Sequence, residues 1–431
     1  MSTQHPTTAT RLQFQSPPPA WLRWALLSVG AAVVVVQLVV IAHRRATHGG
    51  DFDISREFGR RFLAGEPLYA GGLHYPYMPS AAMFFSPLAL VGPSLGIALR
   101  YAAALGCLWL TLGWLHAMRG WPAPRFTIDA LALALGSHYL IRDLDDGGPH
   151  LMLLAMLVGG MSCAEKGHER LGATWFGLAT AIKAPSALFV PFFLWKKQWR
   201  LAAWTVLATF GWIALPAVWM GPASWWAHQC EWAGVAAGSV FGRRAPVAEE
   251  SEVRIQDQAL RPALLRYLVT YPEGHALRLP QRADVPILDL EPVTAERVAS
   301  GIMLGLLAAC AWRFRAAYRS PASREWLVQC SAVLILELLF SPVTWVQHMV
   351  LLLPALFLIA SDVCAGGGLG TPLRAAMALY VILSVVLNRE ILGRDRYLLL
   401  LSYHTQTLCM LLVLAVILLR QPAAGQTHGR D

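Results

Sequence analysis

Apolar stretches of roughly 15 to 25 residues recur along nearly the whole chain, the length a helix rising 1.5 Å per residue needs to cross a hydrocarbon layer. Of the 431 residues, 56% are apolar and only 14% charged, whereas a soluble domain carries about 25% charge. A single aqueous core cannot bury that much apolar surface, so the bilayer is the solvent for most of this chain. Candidate spans fall at 21–42, 94–118, 127–141, 150–164, 171–183, 184–195, 201–220, 298–312, 325–340, 349–361, 374–388 and 403–420. The expected architecture is an all-α polytopic bundle of about a dozen spans. The apolar stretch 79–92 carries Pro87 and reads as a re-entrant or interfacial helix. A polar tail with three consecutive prolines, Pro17 to Pro19, precedes the first span, so that span is read as retained rather than as a cleavable leader.

Orientation follows from the basic residues. With residues 1–20 and 421–431 as cytoplasmic tails, the short inner connections hold 16 Lys and Arg and the short outer ones 5, namely Arg142, Lys183, Arg389, Arg394 and Arg396. That asymmetry is the positive-inside bias, and it also accounts for the net charge of +9. No block of five or more basic residues exists to suggest a nucleic-acid partner. The seven cysteines form no CxxC pair and no metal spacing. One membrane domain, 21–420, therefore presents two long outer loops, at about 43–77 and 221–297, each with helical patches beside the membrane.

Chemistry-bearing residues gather in those outer segments. The first loop opens Gly50-Asp51-Phe52-Asp53. A carboxylate at this level can act as a general base for a hydroxyl, or it can cap the helix that follows. The same loop ends in His74-Tyr75-Pro76-Tyr77-Met78-Pro79, which fixes the entry into the next helix. The run Arg142-Asp143-Leu144-Asp145-Asp146-Gly147-Gly148-Pro149-His150 reads as a short outer loop dense in acids. Asp145 and Asp146 offer oxygen ligands to a divalent cation or to sugar hydroxyls, but the run is too short for a dedicated cage, and the sequence requires no cofactor. Lys183 interrupts an apolar stretch, where it either snorkels or meets an anion such as a lipid phosphate. In the second long loop Leu260, Leu264 and Leu268 recur every four residues, an amphipathic helix at the membrane surface whose Arg261 and Arg266 suit a phosphate or anionic lipid. Ser341-Pro342-Val343-Thr344-Trp345-Val346-Gln347-His348 stands at the outer end of a span, with Glu337 one turn earlier and turned toward protein or a cavity.

Taken in order, these segments resemble the bacterial GT-C glycosyltransferases of glycosyltransferase family 87. The resemblance is carried by the acidic start of the first loop with Gly65 and Tyr69, and by Tyr75-Pro76. The 142–150 cluster, Lys183 with Pro185, the helix from Gln256 to Arg266, and Ser341-Pro342 with Trp345 and His348 complete it. Departures are Gly147-Gly148-Pro149-His150 in place of Gly-Gln-x-Asn, and Asp257 and Ala259 in place of Asn and Ser. The resemblance implies a GT-C fold and a polyprenyl-phosphate sugar donor, mannose first, with a glycolipid or glycan acceptor. It implies an active site on the outer, periplasmic face of the inner membrane. It makes Asp51 the first choice of base and Asp53 the second. It assigns Lys183, Arg261, Arg266 and His348 to the donor phosphate, and Asp145, Asp146, His150, Tyr75 and Gln256 to substrate. The rival readings are a non-catalytic transporter of lipid-linked sugar and an envelope assembly subunit. A transporter would predict paired repeats and charged residues near mid-bilayer, whereas the sequence shows no internal repeat and its acids cluster at the outer surface.

The topology is open to direct test. A probe cysteine at Ser251 is expected to react with a membrane-impermeant thiol reagent from the outer side of intact cells. Labelling only after the membrane is broken would reverse the orientation.

Overall fold

A computed structural model describes residue 39 and residues 50–70, 77–118, 125–241, 255–270, 286–315, 324–365 and 369–420. Among these residues every regular element is a helix. The span expected at 21–42 (apart from residue 39) and Tyr75 lie outside the described residues.

The chain begins with two paired helices, α1 (Asp51–Ala64) and α2 (Pro79–Ala89). There follow α3 (Pro93–Ala117), α4 (Arg125–Asp146), α5 (His150–Glu165) and α6 (Glu169–Ile182). Next come α7 (Ala184–Trp195), α8 (Trp199–Met220), α9 (Pro222–Phe241) and α10 (Leu260–Leu268). The remainder is α11 (Pro292–Arg313), α12 (Arg324–Phe340), α13 (Val346–Cys364), α14 (Thr371–Val386), α15 (Arg394–Ser402) and α16 (Thr405–Leu419). Every span expected from residue 94 onward overlaps one of these helices. By length and apolarity α3, α8, α11 and α13 can each cross a membrane. The pair α15 and α16, bent by 61°, makes a fifth if it is one span. The expected count of about a dozen leans on the shorter apolar helices as well.

Burial separates the central helices from the peripheral ones. In α13 89% of the most apolar window is buried, against 28%, 22% and 17% in α3, α8 and α11. Every residue of α12 from Trp326 to Leu339 is buried too. A helix apolar all round belongs inside such a bundle, and α12 and α13 fill that place.

Helix α1 lies against α2 through Phe58 and Phe62, both fully buried, and through Gly59. A Cβ at Gly59 would stand 2.7 Å from the backbone of Phe85, so only glycine lets the helices meet this closely. On its other side Arg60 bridges Glu57 and Glu66, and Gly65, at φ +69°, ends the helix. This packing sets where the first residue of α1, Asp51, can point.

Two expectations need correction. The 142–150 run is not a loop through its acids: α4 continues to Asp146 and stops at Gly147, which takes φ +72°. Arg142 reaches Asp145 at 3.0 Å and Asp146 at 3.1 Å, three and four residues on. Those pairs offset the unfavourable placement of acids at a helix C-terminus. The α10 segment, for its part, is fastened into the bundle rather than resting on the surface by its leucines alone. Gln258, Arg266 and Tyr267 donate to the carbonyls of Leu401, Ser402 and Tyr403 at 2.9, 3.0 and 2.8 Å. Those carbonyls lie at the end of α15, where helical N–H partners run out, although Leu401 O also accepts the His404 N–H at 2.8 Å. The same segment holds the turn before α13, since Asp257 accepts from Thr344 N–H at 2.9 Å and Gln258 N–H donates to Thr344 O at 2.6 Å.

Gly59→Ala is expected to destabilise the protein by about 1–3 kcal/mol, because an added methyl meets backbone that cannot yield. Unfolding of the purified protein followed by heat or denaturant measures it, and an unchanged midpoint would mean that α1 and α2 separate more readily than their contact implies.

Candidate active site

The site forms where the start of α1, the end of α4, the start of α5, the turn after α6, and the α12–α13 junction come together. At the start of α1 the two acids part company. Gly50 is the N-cap, and its N–H donates to Asp53 Oδ2 at 3.2 Å, so the exposed Asp53 completes the helix end. Asp51, half-buried, turns into the bundle, where Gln347 hydrogen-bonds its carboxylate. Burial and the nearby carboxylate of Asp146 push Asp51 up to about 7, with Asp143 adding to the effect and Gln347 and Lys183 opposing it.

Behind Asp51 stands His150, paired with Asp143, an acid that the sequence did not single out. Asp143 is fully buried; its Oδ1 lies 2.9 Å from His150 Nδ1 and its Oδ2 accepts the Leu151 N–H at 3.2 Å. A carboxylate facing Nδ1 places the imidazole proton there, which leaves Nε2 to accept from Tyr77 O–H at 3.3 Å. The His150 ring packs against His348 with centroids 4.3 Å apart and the ring planes tilted by 40°. His348 Nδ1 accepts the Trp345 N–H at 3.2 Å, so in the neutral ring the proton sits on Nε2 and His348 presents a donor. Gly148 separates His150 from Asp51: a Cβ there would lie 2.7 Å from His150 Nδ1 and 3.4 Å from Asp51 Oδ2.

Lys183 follows α6 in an extended conformation, φ −135° and ψ 106°, which ends that helix and swings the chain into α7. Its charge acts on Glu337, Asp51 and Asp143, and on the rings of His150 and His348. Ser186, three residues on, donates to Glu337 Oε1 at 2.9 Å. Arg100 of α3, buried, adds a second cation near Asp143 and His150. A lone arginine in the apolar run from Leu95 to Leu110 was the available signal for it.

Of the residues singled out in the sequence, Asp51, Asp146, His150, Lys183 and His348 share one neighbourhood. Asp145 borders it, paired with Arg142 at 3.0 Å and with Arg389 3.9 Å away. Three others go elsewhere. Arg261 makes two 2.8 Å hydrogen bonds to Glu296 of α11, because a guanidinium so close to a carboxylate on the packed neighbour satisfies its charge there. Arg266 is spent on the Ser402 carbonyl, and Asp53 on the cap. Gln256 is half-buried beside Ile255. Among the described residues no group of three His, Cys, Asp or Glu is arranged to hold a metal ion.

This gathering of acids, cations and two neutral imidazoles at a helix-bundle junction suits group transfer. Residues 75–342 match the sequence profile of glycosyltransferase family 87. The chain belongs to glycosyltransferase family 87. A family 87 protein is an enzyme, so the transporter and assembly-subunit readings give way. The family match covers Asp143, Asp146, His150, Lys183 and Glu337, while Asp51, Gln347 and His348 lie just beyond its two ends. The chain is also 25% identical over 394 residues to a polyprenol-phosphate-mannose-dependent alpha-(1-2)-phosphatidylinositol mannoside mannosyltransferase of Mycobacterium tuberculosis. That similarity covers 85% of this chain and 81% of the relative. No solved structure matches.

Because Gly148 spaces His150 from Asp51, Gly148→Ala is expected to lower turnover by about 10- to 100-fold, the effect of displacing reacting groups by an ångström. Steady-state transfer by the purified variant tests it; wild-type turnover would show that the gap can widen freely.

Proposed function

We propose that this enzyme is an inverting hexosyltransferase that moves mannose from a polyprenyl-phosphate carrier to a hydroxyl of a glycolipid or glycan. We place the reaction on the outer, periplasmic face of the inner membrane, where the charge bias puts the end of α4 and the start of α1. The observation that carries the reading is the division of labour at Asp51 and Asp53. One acid completes the helix cap and leaves the other facing Lys183 and Gln347. Both the mannosyl donor and the glycolipid class of acceptor are carried over from the mycobacterial relative's name.

In the proposed reaction Asp51 accepts the proton of the acceptor hydroxyl as its oxygen attacks the anomeric carbon. The bond from that carbon to the phosphate oxygen breaks, and its electron pair leaves with the lipid phosphate. Lys183 and the Nε2–H of His348 meet the charge that grows there, fixed in place before the reaction begins. One displacement inverts the anomeric centre. Asp145 and Asp146, with Arg142 bridging them along the last turn of α4, offer hydrogen bonds to sugar hydroxyls beside the base. Arg261 and Arg266, assigned to the phosphate from sequence, instead hold the outer segment in place.

Asp51→Asn is expected to lose about 10²- to 10⁴-fold in turnover, the usual worth of a general base. Asp53→Asn is expected to stay near wild type, since Asn and Asp cap helices about equally well. Asp51 acts as a base only when deprotonated, so the wild-type rate at saturating donor rises with pH through about 7, and Asp51→Asn abolishes that limb. Mannosyl transfer from a short-chain polyprenyl phosphomannose, measured across pH, reads all three. Near-normal turnover in Asp51→Asn would sink the mechanism.

A further inference from the structure

Glu337 is the sole charged residue between Trp326 and Phe340 on α12, the most enclosed surroundings in the protein, and is 4% exposed. An acid there is costly unless its charge is met. Its Oε1 accepts the Ser186 O–H at 2.9 Å, while its buried Oε2 has no hydrogen-bond partner among the described residues. The one charged group that acts on it is Lys183, on the turn that also carries Ser186. Of the other elements packed on α12, α13 brings His348 and α5 brings His150, both facing Lys183. Helix α10 brings Arg261 and Arg266, which pair with Glu296 and the Ser402 carbonyl, and α11 brings that same Glu296. From α16 come the uncharged Gln406 and Cys409.

One ammonium therefore acts on three carboxylates, those of Glu337, Asp51 and Asp143, and only Asp143 has a second cation, Arg100, beside it. A phosphodiester docking on Lys183 brings a fourth anion into the same low-dielectric space. Something must be neutralised, and the three acids differ in how firmly they hold a charge. Asp143 has a donor on each oxygen, from His150 and from Leu151. Asp51 receives Gln347. Glu337 has a bare oxygen, and as a neutral acid its Oε1 still accepts from Ser186. It is the least costly of the three to protonate.

We propose that Glu337 is a positioning residue for the donor phosphate, acting through Lys183, and that it takes up a proton from solvent as the phosphodiester binds. A new O–H bond forms on Oε2, and Lys183 is released from Glu337 to face the phosphate. This rests on the reading above that Lys183 receives a lipid phosphate.

The test is titration calorimetry on the purified full chain, in buffers of different ionisation enthalpy, over a range of pH. The probes are a short-chain polyprenyl phosphomannose and a mannose-free alkyl phosphodiester of the same chain. Wild type is expected to take up about one proton per ligand, with Kd rising about tenfold per pH unit on the alkaline side. Asp51→Asn is expected to keep that uptake. Glu337→Gln, which retains an acceptor for Ser186, is expected to lose the slope and to bind at least as tightly as wild type at about pH 8. A merely structural glutamate would give the opposite result, weaker binding with the slope unchanged. If Glu337→Gln does not fold, the wild-type and Asp51→Asn proton counts decide alone. Ligand binding without proton uptake, or uptake lost in Asp51→Asn, overturns the proposal and leaves the donor reading intact. Proton-linked binding of both probes without mannosyl transfer supports the proposal and overturns the donor reading. Failure of both probes to bind overturns both.

Discussion

An ammonium group held among carboxylates in an apolar bundle is the interaction on which the site depends. Four acids, Asp51, Asp143, Asp146 and Glu337, gather at the junction of α1, α4 and α12, where water is scarce. Left alone they would repel one another and resist burial. Lys183, Arg100 and Arg142 supply the opposing charge, and hydrogen bonds from Gln347, His150, Leu151 and Ser186 take up most of the remaining acceptors. A break in the helical path between α6 and α7 delivers the lysine, and glycine spacing at 59 and 148 delivers the acid of α1. The backbone irregularities of this protein sit where the charges have to meet.

Much of this was legible in the residues because the bilayer is a strict solvent. Apolar length alone located the helices, and a charged residue interrupting an apolar run, such as Lys183, announced itself. The distribution of roles was harder. Asp51 and Asp53 are two residues apart with the same chemistry, and only the direction each takes at the helix start separates capping from facing the bundle. Asp143 was quoted among its neighbours but passed over, because its meaning comes from helical phase. With α4 continuing to Asp146, Asp143 falls on the face of Tyr139 and Ala132, which is fully buried. Reading 142–150 as a loop erased that phase. Arg261 and Arg266 illustrate the reverse difficulty. Basic residues on an amphipathic helix signal an anion equally well whether it is a phosphate, a carboxylate on the next helix, or the negative end of a helix. Glu296 and the end of α15 are far away in sequence, so no local pattern could point to them.

The two histidines show how a backbone can set chemistry without contributing a reactive group. Trp345 N–H and Asp143 each fill the Nδ1 side of a ring, one as a donor and the other as an acceptor. The two adjacent rings consequently carry their protons on opposite nitrogens. A neutral imidazole with its tautomer fixed costs no charge in an enclosed site, yet it offers a directed N–H or a directed lone pair. Among so many acids, such neutral directionality complements the charges of Lys183, Arg100 and Arg142.

The segment around Gln258 has a consequence for how the molecule is made. It is translated before both strands of backbone that it fastens, the turn at Thr344 and the broken helix at Leu401 to Tyr403, and Thr407 later returns a hydrogen bond to Gln258 O at 2.6 Å. Until residues 400 to 407 have entered the membrane, the side chains of Gln258, Arg266 and Tyr267 lack the carbonyls of Leu401, Ser402 and Tyr403. The turn leading to His348 is held from one side alone during that interval. The lysine, the acids and both histidines are all in the membrane by then. The candidate site is thus completed by a later helix pair, α15 and α16, which carries none of those groups, and a nascent chain has all of those side chains before they are held together.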